Sequence, residues 1–304
     1  MTDLPRASGG SPPPGHVPVL LREVLHYLAL DAGQIVVDGT VGAGGHSRAI
    51  LPQIGSTGVL IGLDRDPHML QIAARALPAE NCHLIQSSYA DLEQVLAGRN
   101  IHAADRVLLD LGLSSVQLAD EGRGFGFHSA GALDLRFDVS QGEPAWALVA
   151  RSSEDELADI IERYGEEPHS RKIARKLVAV RSERPITTAR ELAEAVASAG
   201  AARAAAAGAR HPATRVFQAL RIAVNQELEQ LERALADQLY KCLKPGGIAV
   251  IISFHSLEDR LVKQSFRDSK SWQILTPKPV TATNAEQRLN PRSRTAKLRA
   301  ATRL

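Results

Sequence analysis

A chain of 304 residues with 44% apolar residues is long enough to bury one large core, or one core carrying a second domain inside it. Its formal net charge of +2 is small for that length, so an anionic partner has to be met by local clusters of Lys and Arg. The two cysteines, Cys82 and Cys242, form no C-x-x-C pair and read as buried thiols of a cytoplasmic protein; no apolar run reaches the roughly 20 residues of a membrane span, and no secretory h-region is seen.

Residues 1–15, MTDLPRASGGSPPPG, have the Pro, Gly and Ser content of a disordered tail. Order is expected from HVPVLLREVLHYL, where Val19, Leu20, Val24, Leu25 and Leu28 recur at helical spacing. Short β-branched runs then alternate with helical patterns. QIVVDGT, GVLIGLD, CHLIQSS and DRVLLDLGLSS read as strands; GHSRAILPQI, PHMLQIAARAL and YADLEQVLAG read as helices between them. The strands are continuously apolar, as when both faces of a sheet are covered, so the pattern predicts a parallel, doubly wound α/β fold. Asp66 precedes Pro67 and is expected to cap the second of these helices.

The alternation stops between about Val116 and Pro212. A glycine-rich segment, EGRGFGFHSAGALDLRFD, leads into the helical patterns SEDELADIIERYG, SRKIARKLVAVRSE and TTARELAEAVASAG, the last with Thr188 and Glu191 spaced as a capping box. AARAAAAGAR is low-complexity. This predicts a helical insertion at 118–212 within a discontinuous domain of 16–117 and 213–304. Afterwards TRVFQALRIAVNQELEQLERALADQLYKCL reads as one long helix and IAVIISFHS as a buried strand. Ser256 and Asp259 are expected to cap the helix LEDRLVKQSFRDS, and WQILTP and TAKLRAA read as two short final strands.

The stretch VVDGTVGAGGHSRAI joins a strand to a helix through Gly42, Gly44 and Gly45, a general nucleotide cradle. It lacks the Lys-Ser or Lys-Thr of a triphosphate loop, and Ser47 stands where a dinucleotide fingerprint has its third glycine. Asp64 lies twenty residues past Gly44, where this fold places a carboxylate on ribose hydroxyls. A ribose without phosphates suits S-adenosylmethionine, and LKPGG before a late strand is common in methyltransferases of this fold. A nicotinamide oxidoreductase is the rival that Ser47 disfavours. A non-catalytic RNA-binding or assembly protein is the rival that the intact loop and Asp64 disfavour.

Longer strings carry a resemblance. HVPVLLREVL, DGTVGAGGHSRAIL, GLDRDP, LLDLGLSSVQL, RGFGF, LDLRFD, HPATRVFQALRIAVNQELE, ISFHSLEDRLVK and NPRSRTAKLRA closely resemble the bacterial 16S ribosomal RNA cytosine-N4 methyltransferase family, of the MraW or RsmH type, from His16 onward. The resemblance implies a Rossmann-like class I methyltransferase sheet with an inserted helical, RNA-recognising domain. It implies S-adenosyl-L-methionine as cofactor and N4 methylation of a decoding-centre cytosine. The partner would be 16S rRNA within the 30S subunit, with no membrane and with a homodimer left open. By position the cofactor contacts are Gly44, Gly45, His46, Asp64, Tyr89, Asp110 and Gln117. Tyr89 stands where phenylalanine is frequent, Val116 replaces the proline of SSPQL, and the segment before NPRSR is short.

On the acceptor side, DLGLSS replaces the Asp-Pro-Pro-Tyr type of motif, so no catalytic base is named. SFHS at the end of a buried strand offers Phe254 to stack on a splayed base and His255 to hydrogen-bond it, with Arg294 as a further substrate contact. HSLED matches no zinc motif, and no metal is expected. An acidic block at 154–167 faces two basic sets as RNA candidates: Arg171 to Arg184 in the insertion, and Arg288, Arg292, Arg294, Lys297, Arg299 and Arg303 near the end. Arg123 is expected to order the glycine-rich loop.

Overall fold

The computed structural model describes residues 18–78, 80–199 and 211–304; the tail at 1–15 and the alanine-rich stretch 201–210 lie outside the described residues. The chain divides into two compact units, one made of the residues up to Gly112 and from Leu228 onward, the other of Leu113–Glu227.

The first unit is built on a seven-stranded sheet in the order β3-β2-β1-β4-β5-β7-β6. The strands are β1 (Ile35–Asp38), β2 (Val59–Asp64), β3 (Cys82–Gln86), β4 (Ala104–Asp110), β5 (Leu243–Ser253), β6 (Trp272–Ile274) and β7 (Lys297–Arg303). The period-two geometry of a strand sends neighbouring side chains to opposite faces. Val36, Leu60, Leu108 and Val250 thus enter one core, with α1 (Leu21–Leu28), α2 (Gly45–Ile54) and α3 (Pro67–Ala76). Val37, Ile61, Val107 and Ile251 enter the other, with α4 (Leu92–Ala97) and later helices. This is why the strands are apolar throughout. Both cysteines are buried and free, and burial pushes the Cys242 thiol up to about 11.

The expectation of a parallel sheet holds for all strands but one. β7 runs antiparallel to both β5 and β6. Lys297 starts opposite Ser253, at the carboxyl end of β5, so β7 enters the sheet from that edge and has to run back against its neighbours. Among the described residues no helix is long and apolar enough to cross a membrane.

The second unit is helical. Its elements are α5 (Ser115–Ala119), α6 (Ala145–Arg151), α7 (Glu154–Gly165), α8 (Ser170–Glu183), α9 (Ala189–Ser198) and α10 (Thr214–Asn225). Leu133, Leu157, Ile161, Leu177, Leu192 and Leu220 share its core. Among its described residues the only β pairing is a single bridge, Ala132 to Thr188, and Thr188 with Glu191 forms the expected capping box. The unit is wider than the 118–212 read from sequence, because α5 and α10 both belong to it.

The long helix expected from residue 214 to 243 is broken. Gln226 adopts a left-handed conformation, φ 52°, and the chain resumes as α11 (Glu227–Arg233), a π turn at Ala234–Gln238 and α12 (Leu239–Cys242). The break follows from Asn225, which is buried. Its amide donates to Leu135 O (2.7 Å) and Arg221 O (2.9 Å), and its oxygen accepts from Phe137 N (2.8 Å). An apolar stripe records helical periodicity and is blind to a side chain that holds a loop. Asn225→Ala strands the buried carbonyl of Leu135 and the half-buried N–H of Phe137. It is expected to destabilise the second unit by about 2–4 kcal/mol, read as an earlier urea transition with hydrogen-exchange protection lost first around Leu135.

Candidate active site

Three neighbouring parallel strands each end in an aspartate: Asp38 on β1, Asp64 on β2 and Asp110 on β4. Strand order reverses between β1 and β4, and ligands of open α/β sheets bind outside such a switch point.

The glycine loop is tied to all three ends. Gly39 N donates to Leu108 O (2.9 Å) and Val41 N to Leu63 O (2.8 Å), while Thr40 Oγ1 accepts from Asp110 N (2.6 Å). A Cβ on Gly39 would stand 2.4 Å from Leu109 Cδ2 and 3.0 Å from Tyr89 Cβ, so the loop passes between those side chains only as glycine. Gly44 caps α2 in the left-handed region, φ 85°, and Gly45 and His46 open the helix, where N–H groups have no acceptor within the helix. Ser47, in the third-glycine position, is buried, and its hydroxyl donates to Asp38 Oδ2 (2.7 Å), fastening α2 to β1. Sequence reading gave no role to Asp38, Gly39 or Ser47; the recurrence of Asp at three strand ends is a signal for Asp38, whereas Gly39 and Ser47 gain theirs only in the fold.

Asp64 fits a ribose. Its Oδ2 accepts from Gly42 N and its Oδ1 from Asp66 N, both at 2.9 Å, which fixes the carboxylate and leaves each oxygen a second lone pair for a vicinal diol. Burial raises its pKa to about 7. Asp66 caps α3 through His68 N (2.9 Å), as expected. Burial also raises Asp38, against the hydrogen bond from Ser47.

The other side of the loop holds unmet polar atoms. Both ring nitrogens of buried His46, and the buried Oδ1 of Asp110, have no hydrogen-bond partner among the described residues. His46 Nε2 lies 3.4 Å from Asp110 Oδ2, so the ring of His46 is turned toward that carboxylate. Clustered carboxylates and an unpaired buried oxygen suit a cationic, N–H-bearing ligand end. Tyr89 opens a short 3-10 turn, Tyr89–Asp91, after β3. Gln117 belongs to the second unit. It is buried in a reciprocal capping box with Ser114, at 2.9 and 3.0 Å, which sets the backbone around Val116.

The acceptor-side expectations are redistributed. Phe254 follows β5 and packs half-buried against Gly112, whose Cβ would meet its ring at 3.6 Å. His255, not Ser256, caps α13 (Ser256–Phe266): its ring accepts from Glu258 N, while Glu258 Oε2 accepts from Phe254 N (2.8 Å) and His255 N (3.3 Å). Its Nδ1 is therefore committed to the cap, while its buried Nε2, 3.2 Å from Glu258 Oε1, has no hydrogen-bond partner among the described residues. Asp259 caps nothing. It binds Arg299 (2.7 Å) and Lys297 (3.1 Å), which hold its carboxyl below the ordinary range against the opposing effect of burial. Arg303 lies 4.3 Å over Tyr240. Half the basic set near the end is thus used inside the fold. Arg294 is exposed on the turn Pro291–Thr295, whereas Arg292 is half-buried there. Burial lowers the Arg292 guanidinium and the Asp110 carboxylate raises it again, so its charge is felt at the site.

Residues 14–304 match the profile of the MraW methylase family. Among curated relatives, the ribosomal RNA small subunit methyltransferase H of Nitratidesulfovibrio vulgaris is 46% identical over 306 residues, 94% of each chain. The proteins of that name from Sorangium cellulosum and Thermotoga neapolitana are also 46% identical, covering 95% and 94% of this chain and 91% and 95% of their own. An rRNA methylase structure from Streptococcus thermophilus aligns over 95% of this chain and 99% of its own at 11% identity, with a TM-score of 0.42.

The raised Asp64 predicts a pH profile. Ribose hydroxyls need the ionised carboxylate, so S-adenosylmethionine affinity is expected to be about tenfold weaker at pH 6 than at pH 8, and Asp64→Asn to bind weakly without that slope. In the ligand-free protein the sign is opposite. An acid raised in the folded state favours folding at low pH and loses that contribution as pH rises through about 7. Melting temperature should therefore fall between pH 5 and 8 more steeply in the parent than in Asp64→Asn. Calorimetric titration and thermal scans at matched pH check both.

Proposed function

Because this chain belongs to the MraW methylase family and is an S-adenosylmethionine-dependent rRNA methyltransferase, we propose that it methylates the N4 amino group of a decoding-centre cytosine of 16S rRNA, in the cytoplasm, with the 30S subunit as substrate. The observation that carries the assignment of the site is the convergence of Asp38, Asp64 and Asp110 on one glycine loop.

S-adenosylmethionine supplies an electrophilic methyl group on a sulfonium. What the chain supplies is placement and charge. Asp64 would hold the ribose through the two lone pairs its backbone donors leave free. Asp110 Oδ1 would accept from the ammonium of the methionine end, and the buried carboxylates give the region the negative field a sulfonium needs. Gly45 would present its backbone N–H at the start of α2, that of Gly44 being donated to Val41 O (2.8 Å), and Tyr89 lies beside Gly39 at the loop. Gln117 is assigned to the cofactor on family position.

Cytosine N4 is a weak nucleophile because its lone pair is delocalised into the ring. Holding it in line with the methyl group supplies much of the rate. Phe254, packed on Gly112 two residues beyond Asp110, is suited to flank the target base, and its backbone is fixed by Glu258. Arg292 and Arg294 add positive charge for the flanking backbone. His255 acts through the cap, as a positioning residue.

Deleting the gene should remove N4-methylcytosine from 16S rRNA in nucleoside digests, and the purified enzyme should restore it on 30S particles in preference to free rRNA. A product methylated at carbon 5, or no change in N4-methylcytosine, would sink the reading. Phe254→Ala is expected to lower kcat/KM about ten- to a hundredfold, the range of one lost base–aromatic stack, with S-adenosylmethionine affinity unchanged.

A further inference from the structure

One large apolar side chain of the first unit stands almost wholly in water. Leu289, the last residue of α14 (Asn284–Leu289), is 86% exposed, and no other large apolar side chain among the described residues exceeds 52%. A half-exposed leucine is ordinary; one held this far out forgoes nearly all the burial that the fold could give it. Its surroundings are charged. The segment 281–296, TATNAEQRLNPRSRTA, carries three arginines, Arg288, Arg292 and Arg294, against a single acid, Glu286. Arg288 and Arg294 are exposed and make no ion pair with a carboxylate among the described residues.

The segment is braced. Its neck is closed where Val280 and Leu298 exchange two backbone hydrogen bonds (2.9 and 2.8 Å), and Ala282 and Ala296, just inside the neck, are buried in the core of the first unit. Thr283 caps α14 by accepting from Glu286 N (3.2 Å), and Glu286 Oε1 accepts from Leu20 N (2.8 Å), which ties the helix to the residues ahead of α1. Beyond the helix, buried Ser293 donates its hydroxyl to Asn290 O (2.8 Å) and closes the next turn. The segment is also rooted at the methyl-transfer end of the sheet. β7 follows it directly and begins with Lys297 opposite Ser253, the residue before Phe254. Arg292, three residues after Leu289, is half-buried and lies within the field of Asp110. Leu289 is thus held out on a fixed arm, between cations.

A cytosine whose amino group is to meet a methyl donor inside a protein has to leave its stack, at the cost of unstacking. The vacated step exposes two base faces to water. An apolar side chain that slips between them recovers part of that loss, and leucine is one of the residues that serve as wedges between base steps. Cations beside the wedge hold the flanking phosphates, and an arm with three arginines to one acid suits a polyanion better than a protein surface of mixed charge. The geometry points to Leu289 as such a wedge: it enters the base stack of the substrate RNA beside the target cytosine and fills the gap while the base lies against Phe254. It touches neither the cofactor nor the reacting atoms, and so is a positioning residue. The inference rests on the cytosine methylation proposed above and deepens it, from which group is methylated to how the base is brought out.

The test uses the full chain and 30S particles from a strain lacking the gene. Leu289→Ala should lower kcat about tenfold, a fraction of the cost of unstacking one base, with KM for the particle unchanged. Leu289→Met keeps an apolar wedge and should restore kcat to near the parent's. Base displacement is read directly by acylation of ribose 2′-hydroxyls in particles bound with enzyme and S-adenosylhomocysteine, which has no methyl group to transfer. The parent should raise reactivity at the target nucleotide and Leu289→Ala should not. Calorimetric S-adenosylmethionine affinity and melting temperature should match the parent in both variants, as expected of so exposed a side chain. A parent-like kcat or a parent-like reactivity in Leu289→Ala overturns the inference. A raised KM with unchanged kcat overturns it in favour of a docking contact with the subunit, and a changed oligomeric state in light scattering overturns it in favour of a second copy. If the parent forms no N4-methylcytosine, the functional reading has failed and takes this one with it; if the parent methylates and Leu289→Ala matches it, the wedge alone falls.

Discussion

Buried negative charge is the constraint around which the first unit is arranged. A carboxylate removed from water is costly unless donors or cations meet it. Here one lies at the end of each of three adjacent strands. Each is met differently. Asp38 is satisfied inside the fold by Ser47 and Thr40 and so works as a fastener of loop to helix. Asp64 is half-satisfied by two backbone donors and keeps capacity in reserve. Asp110 has an oxygen that no donor among the described residues reaches. Incompleteness increases from the central β1 to its neighbour β2 and then to β4 on its other side, and it is the incompleteness that makes a binding site. A fully paired trio would be a stable strut with no affinity for anything.

The same economy governs the acceptor edge. SFHSLED reads like a row of reactive groups, but most of it is occupied in holding itself. His255 and Glu258 cap α13 and each other, and Asp259 neutralises two cations of β7. The Phe254 ring, set in place through its backbone by the Glu258 carboxylate, and the Nε2 edge of His255 are what these contacts leave uncommitted among the described residues. A motif's reactive appearance thus overstates how many of its members can react. Once the caps and ion pairs are subtracted, a small residue set remains.

Local patterns carried most of the architecture into the sequence. The strand–helix alternation, the Asp66 and Thr188 caps and the helical insertion are consequences of short-range periodicity and capping chemistry, and the residues responsible lie within a few positions of each other. The misreadings have a common cause in long-range contacts. Asn225 breaks a helix because of Leu135 and Phe137, about ninety residues upstream. β7 turns antiparallel because it begins opposite Ser253. Asp259 leaves the cap because Arg299 arrives from another strand. Gly44, Gly45 and Asp64 are legible as cofactor candidates because loop chemistry and spacing point to them, whereas the bond between Ser47 and Asp38 emerges only when their helix and strand are brought together. Arg294 and Arg292 stand two positions apart on one turn, and nothing in their spacing says which of them faces Asp110.

The placing of the second unit between β4 and β5 has a consequence for how the chain assembles. Those two strands lie side by side at the centre of the sheet, yet Asp105 and Lys244, bonded across that seam, are 139 residues apart. Contacts of such high sequence separation form late, because the loop-closure entropy is lost before they return anything. During synthesis β1 to β4 are available well before β5 and β7, and β4 meanwhile presents an open row of backbone donors and acceptors, the kind of edge on which other chains add. The speed with which the helical unit compacts sets how far apart the ends of β4 and β5 wander, and so how long that edge stays open. Mutations there are a route to aggregation of the nascent chain even where they touch no part of the catalytic face.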